Sequence, residues 1–147
     1  MKEIFANKYV KIGLLVAIVI VVIVIISQVV KLLKKRDGLI RAARDEINQK
    51  ELSFSEAQYK IMAENLYAAM NGAGTDEEAI YTTLSTLKTK ADWYKLVDVY
   101  GIKEHSQSSH MGFWSFTGNL VESLHNELSS SEKTKVSNIL ARIGVMF

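Results

Sequence analysis

Residues 12–30 read IGLLVAIVIVVIVIISQVV, a run of 19 residues without a charge between Lys11 and Lys31. From Val16 to Ile26 every residue except Ala17 is Val or Ile. As a helix the run rises about 28 Å, close to the ~30 Å hydrocarbon core of a bilayer. In lipid every backbone N–H and C=O has to be satisfied within the segment, and for a lone span only a helix does that. The run is far longer than a strand, usually about 3–10 residues. It also exceeds the ~7–15-residue apolar core of a secretory signal peptide, and Ser27-Gln28-Val29-Val30-Lys31 offers no small-residue cleavage pattern. The expectation is one uncleaved transmembrane helix over 12–33, preceded by a polar tail over 1–11. Gly13 and Ala17 have the small-xxx-small spacing through which membrane helices pair, so a homo-oligomer is one expectation.

Charge divides the 147-residue chain in the same place. Residues 1–50 carry ten Lys/Arg against four Asp/Glu, a net of +6; residues 51–147 carry eight against twelve, a net of −4. The strip Lys31, Lys34, Lys35 and Arg36 follows the apolar run directly and suits anionic lipid headgroups at about 1 kcal/mol per charge. The lipid bilayer is therefore an expected partner. Nucleic acid is not, because the acidic half would repel phosphate. Positive charge is denser after the run than before it, where only Lys2, Lys8 and Lys11 lie. This predicts an integral, single-pass protein whose C-terminal domain is on the cytoplasmic side, or the virion interior in a viral membrane. The chain has no Cys, hence no disulfide and no thiolate metal site, and no Pro, which suits a chain built of helices.

Residues 34–52 read as a basic juxtamembrane helix or linker, with Leu39, Ile40, Ala43 and Ile47 at helical spacing interrupted by Gly38. Residues 53–147 read as one helical domain. Ser53 with Glu56 forms a capping box ahead of Ala57, Ile61, Leu66, Ala69 and Met70. Asn71-Gly72-Ala73-Gly74 stops that helix, and Thr75 with Glu78 opens a second. Asp92 is expected to cap a third, ended by Gly101. Residues 102–117 read as a long polar and aromatic loop, with no strand alternation. A fourth helix carries Leu120, Val121, Leu124 and Leu128; a fifth, capped by Ser131 or Thr134, carries Val136, Ile139, Leu140 and Ile143. The predicted fold class is all-α, with one N-terminal transmembrane helix and a small five-helix domain.

Residues 63–80, Ala-Glu-Asn-Leu-Tyr-Ala-Ala-Met-Asn-Gly-Ala-Gly-Thr-Asp-Glu-Glu-Ala-Ile, resemble the opening of an annexin repeat, with its Gly-x-Gly-Thr-Asp-Glu turn between the first two helices. Leu120-Val121-Glu122-Ser123-Leu124-His125-Asn126-Glu127-Leu128-Ser129 is similar to the family's Leu-x-x-x-Leu-x-x-Glu-Leu-Ser segment. The resemblance extends over about residues 57–143 and is absent over 102–117. Annexins carry several repeats, whereas Gly-x-Gly-Thr-Asp occurs once here, and Ser130 replaces the Gly usual after Glu-Leu-Ser. Single, diverged repeats of this kind are similar to modules of bacterial and phage proteins.

The resemblance implies a calcium site: the carbonyls of Met70, Gly72 and Gly74, completed by the carboxylate of Glu127. Ca²⁺ takes 6–8 oxygens, and a Gly-rich loop can turn several carbonyls inward. The same residues also have folding reasons to be there, as a glycine turn, a cap and acids in a helix's first turn. Both readings stay open. His105, His110 and His125 lack the spacing of a zinc site. Ser106, Ser108 and Ser109 near two histidines imply no triad without an orienting acid. Nothing argues for catalysis, and no cofactor is required beyond a candidate Ca²⁺. Met111, Phe113, Trp114 and Phe116 form the candidate interaction loop, either exposed to a partner or tucked into the domain.

The reading these features favour is a non-enzymatic, membrane-anchored docking or structural protein. It would serve within a larger assembly of other proteins, a cell-envelope machine or a membrane-containing bacteriophage particle. The alternatives are a Ca²⁺-dependent adaptor at a membrane surface and an accessory to a cell-wall-degrading enzyme.

Overall fold

The first helix, α1, runs from Lys8 to Asp45 in the computed structural model, which describes residues 8–109 and 112–147. Every Val and Ile from Val16 to Val30 is exposed. Among the described residues this is the one helix long and apolar enough to cross a membrane. The polar-tail expectation for 1–11 falls partly on residues outside the described ones.

The chain divides into two compact units, one ending at Asp37 and one over Gly38–Phe147. The last turns of α1 belong to the second: Ala43 is 5% exposed within the core, and the Arg44 guanidinium reaches Asp98 at 2.6 Å. A short 3₁₀ turn, Gln49–Glu51, follows.

Five further helices build the domain: α2 (Glu56–Met70), α3 (Glu77–Ser85), α4 (Lys90–Tyr100), α5 (Leu120–Glu127) and α6 (Ser130–Ala141). Helix α2 packs on α3 and α4, α3 packs on α6, and α5 touches both α2 and α4. The core follows the apolar periodicity of these helices, with Leu66, Met70, Ile80, Leu96, Leu124 and Leu140 fully buried. The all-α architecture of the sequence reading is the architecture found.

The caps differ from expectation in a consistent way. Ser55 with Gln58 caps α2, while the Ser53 N–H donates instead to Asp92 Oδ1 at 2.8 Å. Asp76 caps α3 in place of Thr75, accepting from the Ala79 N–H at 3.0 Å. Thr89 caps α4, with Asp92 in its first turn rather than before it. Helix α6 starts after Ser129, whose N–H donates to Glu132 at 2.7 Å, not at Ser131 or Thr134. Each true cap shares a Ser/Thr/Asp-rich stretch with a second residue of the same chemistry; Ser53 and Thr75 are instead engaged by Asp92 and Glu127.

The stretch 102–117 is not a loop. It forms β1 (Lys103–Ser109) and β2 (Gly112–Gly118), an antiparallel pair in which His105 stands opposite Phe116. Its first strand, Lys-Glu-His-Ser-Gln-Ser-Ser, has no apolar residue to alternate with its polar ones, so periodicity passes over it.

Candidate functional site

The loop between α2 and α3 is closed on itself and clamped from two sides. The Asp76 N–H donates to the Ala69 carbonyl at 2.9 Å, drawing the ends of the turn together. Gly72 and Gly74 hold φ of 126° and 88°, a backbone that side chains with a Cβ rarely adopt. From β1, the Ser106 N–H donates to the Asn71 side-chain carbonyl at 2.8 Å, and His105 Nδ1 lies 3.3 Å from the Met70 carbonyl. From α5, Glu127 Oε2 accepts from the Thr75 hydroxyl at 3.4 Å. The fold thus brings the Gly72–Gly74 turn and Glu127 into one neighbourhood, though they lie more than fifty residues apart in the chain.

Glu127 is half-buried, and Thr75 beside it is too. The donor set for a cation here is backbone oxygen plus one carboxylate. The Met70 carbonyl already receives the His105 ring N–H on one of its two lone pairs, which leaves one for any other partner. Among the described residues no group of three or more His, Cys, Asp or Glu is placed to hold a metal ion. The oxygen-rich turn fits a hard cation such as Ca²⁺ in donor type, with water supplying part of the coordination.

His105 is the residue that the sequence did not single out. It is fully buried. Its Nε2 lies 2.9 Å from both the Tyr100 phenol and the Ser123 hydroxyl. A carbonyl only accepts, so Nδ1 donates its proton toward Met70, and Nε2 faces the two hydroxyls. Ser123 gives its own proton to the Asn119 carbonyl at 2.9 Å. Burial holds the Tyr100 phenol above its usual range, so it stays a donor. The rings of Tyr67 and Phe116 flank the imidazole at 5.1 and 5.6 Å. Lys103 ties the base of the ribbon to α2 through Glu64 at 2.7 Å and lies over the Tyr67 ring. The His105 ring clamps the ribbon to Met70 and Tyr100, with Ser123 packed beside it; His105 and Ser123 are sealed from solvent, and Nδ1 faces a carbonyl rather than an orienting carboxylate.

Of the candidate interaction residues, Phe116 turns against His105 and is half-buried. Phe113 and Trp114 are strand positions opposite Ser108 and Gln107, and Met111 lies outside the described residues. Lys31, Lys34 and Lys35 are exposed on α1, and Arg36 follows them on the same helix. No protein-family model, curated protein or solved structure matches this chain.

Proposed function

We propose that this chain is a single-span, membrane-anchored docking or structural subunit of a larger assembly, in a cell envelope or a membrane-containing phage particle. The observation that carries the reading is the construction of α1. Its Val and Ile residues from Val16 to Val30 are exposed, while its last turns are built into the core of the 38–147 domain through Ala43 and the Arg44–Asp98 ion pair. Such a helix presents a folded domain at a bilayer surface. The test is gentle extraction from the source membrane, with Ca²⁺ or with chelator, followed by measurement of particle mass and composition. A large particle of fixed composition in both conditions supports a structural subunit. A free monomer in both would end the reading.

One contact favours a second reading, a calcium-controlled adaptor. The Thr75–Glu127 bond holds the only carboxylate carried over from the annexin-like motif beside the glycine turn. In that reading Ca²⁺ would bridge the turn to a lipid phosphate or a partner carboxylate. Calorimetry of the full chain in detergent checks it: Glu127→Gln abolishes Ca²⁺ binding if the site is as described, and unchanged binding removes the assignment.

A further inference from the structure

The last turns of α1 and the face of α4 enclose a groove of about 270 Å³. Its walls are Leu39, Ala42, Ala43, Trp93, Val97 and Val121; Tyr94 and Glu46 complete the lining, and Glu46 is its one charged member. Ala43 and Trp93 are buried beneath it at 5% and 4% exposure. Leu39 remains 40% exposed and Ala42 is exposed, so the groove is lined with hydrocarbon that no described residue of the domain covers.

Four observations select its occupant. The volume lies just below the ~300–1,000 Å³ of pockets for whole small molecules, which suits a stretch of aliphatic chain. Leu39 follows Val30 by nine residues, so even a fully extended backbone would hold this wall within about 30 Å of the end of the apolar run. The chain between them carries Lys31, Lys34, Lys35 and Arg36, which gather anionic headgroups. Trp93 and Tyr94 add the side chains most at home at a bilayer interface. We infer that this groove takes an acyl chain of an anionic phospholipid from the bilayer in which α1 is anchored. The inference rests on the reading of α1 as a membrane span.

The experiment uses the full chain with Trp114→Phe, which leaves Trp93 as the one tryptophan. It is reconstituted into vesicles of phosphatidylcholine and phosphatidylglycerol whose acyl chains are either brominated or plain. Bromine quenches tryptophan only at near contact, and Trp93 is shielded from solvent, so quenching reports a chain in the groove. Flotation of the protein with the vesicles is scored first. The expected result is flotation, loss of most Trp93 emission in brominated vesicles, and recovery of that emission when Ala42→Phe fills the groove. Ala42 is exposed, so its replacement leaves the core intact; Leu39→Gln, also at an exposed position, serves as a second variant.

A protein that floats without losing emission overturns the lipid assignment and keeps the anchor. If its mass is then that of two chains, a second copy covers the groove. Quenching that neither variant relieves places the lipid elsewhere and overturns the assignment as well. Failure to float removes the anchor and the inference together.

Discussion

Asp92 shows how much one side chain can organise. It is fully buried, yet its two oxygens accept from the Ser53, Lys88 and Thr89 amides and from the Tyr59 phenol. Burial alone would raise its carboxyl; the bonds from Tyr59 and the Ser53 and Lys88 amides outweigh that and hold it below the usual carboxylate range. Burial, and then the bond to Asp92, raise the Tyr59 phenol. Because the folded value of Asp92 is lowered, its contribution is fully present above the unfolded value of about 3.9 and is lost as pH falls through the folded one. Tryptophan-monitored unfolding of the full chain in detergent should therefore show stability dropping below about pH 4, and less of a drop in Asp92→Asn. Asp92→Ala strands four donors and should cost about 3 kcal/mol or more at neutral pH. Gly101 is a purely backbone case. It ends α4 at φ 64°, ψ −141°, where an added Cβ would meet nothing within 4 Å. Gly101→Ala should still cost about 1–3 kcal/mol, because the strain lies in the dihedrals; an unchanged denaturation midpoint would contradict this.

At the scale of elements, the ribbon β1–β2 depends on His105. His105→Ala removes the ring that joins Met70, Tyr100 and Ser123, and opens a cavity among Tyr67 and Phe116. The expected cost is about 2–4 kcal/mol, with hydrogen exchange accelerating at the β1 amides before those of α2 and α4. Protection lost equally everywhere would show the ribbon to be no separate unit. The ribbon is also where the sequence was least legible. The strand Lys-Glu-His-Ser-Gln-Ser-Ser carries no apolar residue, so its pairing with β2 is visible only through tertiary structure. The helices were legible because each repeats Leu, Ile, Val, Ala or Met at a spacing that buries one face. Their starts were read a few residues off because Ser53 and Ser55, or Thr75 and Asp76, offer equal local chemistry. Asp92 looked like a cap for the same reason; its partner Tyr59 lies 33 residues away and no local pattern points to it. No local pattern places Glu127 beside Thr75, 52 positions away, and the His105 clamp on that turn was not anticipated at all.

Across the whole molecule, the charge of the sequence is divided between a basic stretch beside the apolar run and an acidic remainder, and this division sets its response to salt. Attraction of Lys31–Arg36 to anionic vesicles should weaken as ionic strength rises from about 0.01 to 0.15 M, where screening shortens from roughly 30 to 8 Å. Flotation driven by the apolar helix should not change with salt. A flotation yield that falls with salt would assign the attachment to surface charge rather than to insertion.

Arg44 and its partner Asp98 are separated by 54 positions in the chain. At a synthesis rate of about 5–20 residues per second, the partner is made roughly 3–10 s after the helix turn that needs it. During that interval Leu39, Ala43 and Arg44 have no domain to dock on, and the apolar helix ahead of them is already available to the insertion machinery. If the apolar run is the membrane span proposed above, the order of synthesis separates two competing uses of hydrophobic surface: that run can be committed to lipid before the domain's core exists to compete for it.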